Sequence, residues 1–253
     1  MRPNARLAAL VLLTVALLAA GCRSGRVRED PILRLSAAEA LAEGKRLLAI
    51  EKYEQARKYL MHAFEVEPNS AGGREALLLA ADALFLQGGS QNLIQAEAKY
   101  RDFQNRFPTS DRSAYVQFQI GKCLAGRTER PDRDQAISLK ALQALDDLVR
   151  LYPDSQYAEA AKEEIRRVRA TLAEHEFLVG LFYLRYGLPL AAVERFERLL
   201  AEHPDYGQRD KVIYHLGLAY ERAQRSEDSQ AAFARLRSEH PDSPYAAQVP
   251  DKG

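Results

Sequence analysis

The sequence predicts an all-α chain built from repeated helix-turn-helix units, and three observations carry that reading. The 253 residues are 47% hydrophobic and 28% charged, with no tryptophan and modest glycine. Ala, Leu, Glu and Arg dominate, and these residues favour helix. A proline followed by short polar residues recurs at Pro68, Pro108, Pro153, Pro204 and Pro241. Each such proline ends one helix and is followed by a residue able to cap the next. Finally, Tyr157, Ala161, Ile165, Val168, Leu172, His175, Val179 and Tyr183 step along the chain by four and three, which is one face of an α-helix near 155–186. At ~1.5 Å per residue that helix would run roughly 48 Å. It is either a spacer between two domains or a long member of a repeat array.

The chain begins with a targeting pattern over residues 1–21. Arg2 and Arg6 precede an apolar run from Leu7 to Ala20, shorter than the ~20 residues of a spanning helix. Leu18-Ala19-Ala20-Gly21-Cys22 resembles the bacterial lipoprotein signal, with Ala19 where leucine is usual. That resemblance implies acylation of Cys22 and a membrane anchor made of lipid, and Arg23 after it favours the outer membrane. An ordinary secretory signal with an incidental cysteine is the alternative. Residues 22–35 then form the lipidated N-terminus and a polar, flexible tether. Ser36 and Glu39 match a capping box, so a helix begins there. Cys123 lies in a helical context and is expected as a small buried hydrophobe.

From Ser36 onward the prolines are spaced a little wider than the ~34-residue tetratricopeptide (TPR) period. Counting back from each proline tests that reading. A TPR helix A needs a small residue and an aromatic or large apolar one; helix B needs an alanine and two apolar residues. Pro204 gives Gly180, Tyr183, Ala192, Phe196 and Leu199; Pro241 gives Gly217, Tyr220, Ser229, Phe233 and Leu236. Pro68 gives Gly44, Leu47, Ala56, Leu60 and Ala63. Pro108 gives Ala96, Tyr100 and Phe103 after a longer loop at Gly88-Gly89-Ser90, and Pro153 gives Ala141, Leu145 and Leu148. The third helix A, with Gly121 and Leu124, fits only if Gly126 to Arg133 is an extended loop. The result is a TPR solenoid of about five repeats with one long helix. Its domains are N-terminal repeats with the start of the third over 36–125, the extended loop with the remaining repeats over 126–243, and a disordered tail at 244–253.

A formal charge of +1 lacks the basic excess of a nucleic-acid binder. His62, His175, His203, His215 and His240 are scattered, and no metal-ligand, nucleophile or phosphate-loop spacing appears. No cofactor, metal or catalytic residue is therefore expected. His175 falls on the apolar stripe and reads as a packed residue, while His203 and His240 stand at helix ends where they could serve free carbonyls. Glu163–Arg167 and Glu194–Arg198 are spaced as solvated helical pairs. What a TPR array does offer is a concave groove lined by its A helices. The spacing selects Lys45 and Leu48, then Leu78, Asp82 and Phe85, then Tyr115, Phe118 and Lys122. Aromatics beside isolated charges suit an extended peptide ending in an aromatic residue and a carboxylate; packing between repeats is the other role open to Phe85 and Phe118.

Four motifs go further. They are Pro131-Asp132-Arg133-Asp134-Gln135, Tyr152-Pro153-Asp154-Ser155-Gln156-Tyr157-Ala158, Leu172-Ala173-Glu174-His175-Glu176 and Phe182-Tyr183. With the N-terminal signal and the repeats, they resemble the BamD family, the TPR lipoproteins of the outer-membrane β-barrel assembly machine. The resemblance implies a non-enzymatic scaffold that binds the POTRA region of a BamA-like β-barrel protein, other assembly lipoproteins and unfolded outer-membrane proteins. By that resemblance the BamA face lies on the 126–135 loop and the last two repeats. The residues it singles out are Arg130, Asp132, Arg133 and Asp134, with Glu194, Arg195 and Arg198. Another TPR lipoprotein of the cell envelope, such as a pilotin or an envelope coordinator, is the alternative.

Overall fold

All five prolines end helices, and they do so in one shared geometry. The preceding residues Glu67, Phe107, Tyr152, His203 and His240 have φ between −138° and −124° and ψ between 55° and 67°. A following proline excludes the helical region for the residue before it. In each case the backbone N–H of that residue still closes on the carbonyl four residues back. The histidine side chains are not needed for this, against expectation: His240 Nε2 is buried without a hydrogen-bond partner, and burial lowers the pKa of His203.

The computed structural model describes residues 30–249. The expected signal, the lipidation site Cys22 and most of the tether lie outside the described residues. Ten α-helices follow one another: α1 (Ala37–Ala49), α2 (Tyr53–Val66), α3 (Ala71–Gln87), α4 (Ser90–Arg106), α5 (Ser113–Ala125), α6 (Ala136–Leu151), α7 (Ala158–Arg185), α8 (Pro189–Glu202), α9 (Arg209–Arg222) and α10 (Ser226–Glu239). Each packs on the next, so the chain is an all-α TPR solenoid of five helix pairs. Helix α1 starts at the expected capping box, with both Ser36 and Glu39 engaged.

The pairs close on the small residues that the repeat pattern selects. A methyl group at Gly44 would lie 2.7 Å from Leu60, at Gly121 2.5 Å from Leu145, at Gly180 2.4 Å from Phe196 and at Gly217 2.4 Å from Phe233. Each contact joins a helix A to its own helix B. The turns between them also repeat: Glu51, Gly187 and Gln224 all take positive φ, at 59°, 76° and 61°. The second repeat turns at Gly88 and Gly89, with φ of 71° and 81°, and like Gly187 of the fourth they adopt positive φ without strain.

Helix α7 runs from 158 to 185, inside the expected 155–186, and its 28 residues span ~42 Å. It is divided between cores. Ala161 and Ile165 pack with Leu145 and Leu148 of α6, and Val168 and Leu172 join the core of the first three repeats. From Ala173 onward its buried residues belong to the core of the last two. The long helix is therefore a member of the array rather than a spacer. Its buried face also shifts: Phe177, Gly180 and Leu184 are buried, while His175, Val179 and Tyr183 are half-buried. The line moves because the partner changes from α6 to α8.

The disordered tail expected from 244 is corrected as far as Val249. Tyr245 packs on Tyr214, with ring centroids 5.4 Å apart, Ala246–Gln248 forms a 3-10 turn, and Val249 is buried. Pro241-Asp242-Ser243-Pro244-Tyr245-Ala246 repeats the pattern of Pro153-Asp154-Ser155-Gln156-Tyr157-Ala158, so the chain restarts a repeat and covers the end of the core.

The close approach gives a test. Gly180→Ala should destabilise the fold by about 1–3 kcal/mol through overpacking, less the ~1 kcal/mol that alanine gains in helix propensity. Adding Phe196→Leu should recover part of the loss. Urea denaturation of the two variants measures both effects, and an additive loss in the double variant would contradict the contact.

Candidate functional site

The first three A helices bring only part of the selected groove together. Phe85 of α3 and Phe118 of α5 flank the ammonium of Lys122, whose Nζ lies 5.0 Å and 5.7 Å from their ring centroids. Phe118 also stacks on Tyr157, just before α7, at 5.5 Å. These rings therefore pack between repeats. Asp82 is committed inward: its Oδ1 accepts hydrogen bonds from the hydroxyls of Tyr100 at 2.6 Å and Tyr115 at 2.7 Å. Burial raises the Asp82 pKa, outweighing the two tyrosine hydrogen bonds and the Arg112 charge. Leu78 is buried in the core, at the edge of a cavity shared with Arg74, Glu75 and Phe103. Lys45 pairs with Glu75 at 2.8 Å, and Leu48 packs against the N-terminal core. Cys123 is buried as expected, and burial pushes its thiol up to about 12.

The 126–135 loop is not a loosely solvated excursion. At its start Arg127 forms an ion pair with Glu97 of α4, both side chains largely buried, and donates to the Cys123 carbonyl at 3.1 Å. In its middle the Pro131 carbonyl lies 2.7 Å from His175 Nδ1 on α7. At its end the buried Gln135 donates to the carbonyls of Arg130 and Arg133, both at 3.0 Å. This leaves a fixed charged surface. Arg130 and Asp132 pair with each other, Asp134 Oδ1 accepts from the Ala136 N–H at 2.9 Å, and Arg133 is exposed.

On α8 the expected helical pair Glu194–Arg198 is not formed. Arg195 and Arg198 both reach across to Glu176 of α7, each at 3.0 Å, and Glu194 stays exposed. Burial raises the Glu176 pKa, but the two arginine hydrogen bonds outweigh it and hold the group below the usual carboxylate range. Arg195 and Arg198 are thus already engaged within the chain. On α7 the pair Glu163–Arg167 is likewise replaced, by Glu163–Arg166 and Glu164–Arg167. The ties of Arg127 to Glu97 and of His175 to Pro131 carry no local spacing signal, because their partners are distant in sequence.

Among the described residues no group of three or more His, Cys, Asp or Glu side chains is placed to hold a metal, and no helix is long and apolar enough to cross a membrane. A TPR solenoid with open concave faces and a rigid charged loop is, by class, a helical-repeat binding protein. A family model described as outer membrane lipoprotein, YfiO, matches residues 34–231, and the chain belongs to that family. It is 27% identical over 220 residues to the outer membrane protein assembly factor BamD of Caulobacter vibrioides, covering 87% of this chain and 70% of that protein. It is 25% identical to the BamD of Haemophilus influenzae over 86% of this chain and 84% of that protein. For the BamD of Neisseria meningitidis serogroup A the identity is 24%, over 93% and 92%. Among solved structures, the TPR2AB-domain–pHSP90 complex of yeast Sti1 aligns with a TM-score of 0.44 at 15% identity, covering 83% of this chain and 80% of that one.

Asp82 offers a pH test. Its folded pKa lies above the ordinary value of 3.8, so the native state binds the proton more tightly than the unfolded chain. Stability from this group is therefore lost as pH rises through the window above 3.8. Asp82→Asn does not titrate, so its stability relative to the parent should rise with pH across that window. Urea midpoints measured against pH check this, and a pH-independent difference would refute the assignment.

Proposed function

We propose that this chain is a lipid-anchored scaffold on the periplasmic face of the outer membrane that assists the insertion of β-barrel proteins. The observation that carries the reading is the family match over residues 34–231, which spans α1–α9 and includes the 126–135 loop. The three relatives are outer membrane protein assembly factors, which agrees with it. Cys22 is the lipidation site in this reading, and the chain acts by binding rather than by catalysis.

The partner face is the 126–135 loop with the exposed side of α8. The loop presents Arg130, Asp132, Arg133 and Asp134 on a backbone fixed by Gln135, His175 and Arg127, so a partner meets a preorganised surface. Glu194 is the exposed charge on α8; Arg195 and Arg198 would take part only by exchanging Glu176 for an acid of the partner. The occupant of this face is the POTRA region of a BamA-like protein, with other assembly lipoproteins in the same complex. Unfolded outer-membrane proteins are received at Phe85, Phe118 and Lys122.

Affinity purification of the full-length chain from outer membranes tests the reading. A β-barrel membrane protein should co-purify, and Arg130→Glu with Arg133→Glu should lower its recovery about tenfold, as charge reversal at a complementary interface does. Recovery only with pilus or peptidoglycan-linked components would overturn the assembly role. Separately, Cys22→Ser should abolish incorporation of a labelled fatty acid into the chain; unchanged incorporation would remove the anchor assignment while leaving the partner face standing.

A further inference from the structure

The turn between the two helices of the fourth repeat carries apolar side chains where other repeats carry charge. The first, fourth and fifth repeats align on their residues of positive φ, Glu51, Gly187 and Gln224. The next position holds Lys52, Leu188 and Arg225, and two residues later stand Glu54, Leu190 and Glu227. The repeat framework therefore does not call for leucine here. Tyr186, Leu188 and Leu190 are 66%, 52% and 64% exposed, and Phe182, one turn back along α7, is 54% exposed. The Phe182 and Tyr186 rings lean together, with centroids 4.5 Å apart. The backbone beneath them is fixed: the Tyr186 N–H donates to the Phe182 carbonyl at 3.1 Å and the Leu188 N–H to the Tyr183 carbonyl at 2.9 Å. Contiguous exposed apolar surface of this kind marks an interaction site. Arg185 and Arg222 flank it and are exposed, Arg222 held by a 2.9 Å hydrogen bond from Nη1 to the Leu184 carbonyl. Among the described residues no acidic side chain lines the hollow of about 560 Å³ between this turn and Ala223-Gln224. The first acid along α8 is Glu194, one turn beyond Leu190.

We infer that this turn is a second membrane contact, seated on an anionic lipid surface. Leu188, Leu190 and Phe182 face the acyl chains, and Arg185 and Arg222 face the lipid phosphates. Position and charge select that occupant. The side chains stand at the end of a helix pair instead of lining a groove, so they meet a broad surface rather than a narrow segment. Aromatic rings such as that of Tyr186 sit at headgroup level. Long basic side chains lay their stems on apolar surface while the charge reaches the headgroups. The inference rests on the lipid anchor proposed above for its proximity: the eight residue steps from Cys22 to Asp30 reach at most ~29 Å, which holds the array near the bilayer. A flexible tether limits distance and leaves orientation free. Because α7 is continuous through both cores, a second contact at its C-terminal end orients all five repeats.

The sequence contains no tryptophan, so Leu188→Trp introduces a single fluorophore. The full-length chain carrying it is reconstituted in vesicles of phosphatidylethanolamine and phosphatidylglycerol whose acyl chains are brominated. Its emission should fall about twofold relative to unbrominated vesicles, since interfacial apolar faces sit roughly 5–10 Å into the headgroup and acyl boundary. Leu151→Trp, a site of similar exposure at the proline end of the third repeat, should keep its intensity. Arg185→Gln in the Leu188→Trp chain should lower the bound-to-free ratio read from the quenching about fivefold, the effect of one basic residue near an anionic surface. Replacing phosphatidylglycerol by phosphatidylcholine should lower it further. Thermal melts show that the variants keep the fold, and a labelled fatty acid reports the anchor in the same preparation. With the fatty acid present, an unquenched Leu188→Trp fluorophore would overturn the contact and leave the anchor standing. Equal quenching at both sites, or indifference to Arg185→Gln and to lipid charge, would overturn it as well. Shielding of the Leu188→Trp fluorophore only when another protein co-purifies would replace the membrane with a protein partner. A chain without the fatty acid would remove the anchor, and quenching of Leu188→Trp by added vesicles would then still uphold the turn.

Discussion

One helix is shared by two hydrophobic cores, and the arrangement of the molecule depends on that sharing. Up to Leu172 the buried side chains of α7 complete the core of the first three repeats; from Ala173 they begin the core of the last two. A repeat cannot bury its own apolar face, so each must lend surface to its neighbour. Here the loan runs through a continuous backbone rather than across a turn. Sharp bends in helices need a proline, a glycine-containing weak point or an inserted group. Helix α7 contains no proline, and its one glycine, Gly180, is filled by the Phe196 ring. The two halves therefore keep one relative orientation, and a partner on one half is placed with respect to the other.

The charged groups divide by burial into those that hold the fold and those that can be exchanged. Arg127 and Glu97 retain only 11% and 16% side-chain exposure. Breaking such a pair leaves an uncompensated charge in poor contact with water, at a cost of about 3–5 kcal/mol. It anchors the start of the extended loop to α4. Arg130 and Asp132 pair at 73% and 47% exposure, where an ion pair contributes roughly 0–1 kcal/mol. They can turn to a partner at little cost, while the loop beneath them stays fixed by Gln135 and His175. Arg195 and Arg198 lie between these cases, because one half-buried carboxylate, Glu176, serves both.

The repeat framework was legible because its constraints are local. A proline dictates the conformation of the residue before it, and a helix pair needs a small residue opposite a large one at a set distance in sequence. Gly44, Gly121, Gly180 and Gly217 could be placed by counting alone. The groove was only half legible. Helical spacing says which residues share a face, but not how far a neighbouring helix covers that face. Leu78 and Asp82 have the right spacing and are drawn inward, Leu78 by the core and Asp82 by Tyr100, eighteen residues on. The Glu176 fork escaped notice for a related reason: Arg198 has a local acid at Glu194, and only the fold reveals a better one across the helix pair. Leu188 and Leu190 gave no signal of their own, since leucines at a helix start read as core until their exposure is known.

The two concave faces show how one framework yields two chemistries. In repeats two and three the groove positions are occupied by hydrogen-bonding groups that answer one another. Asp82 takes both tyrosine hydroxyls, Gln119 donates to Tyr115, and Lys122 lies over two aromatic rings. Of these groups, Gln119 keeps a buried Oε1 without a hydrogen-bond partner. In repeats four and five the matching positions hold Glu174, Phe177 and Leu181, then Lys211, Tyr214 and Leu218, and there Lys211 pairs with Glu174 at 3.2 Å and lies over the Phe177 ring. The framework therefore fixes the spacing and relative direction of the two faces, while the side chains on them differ from repeat to repeat.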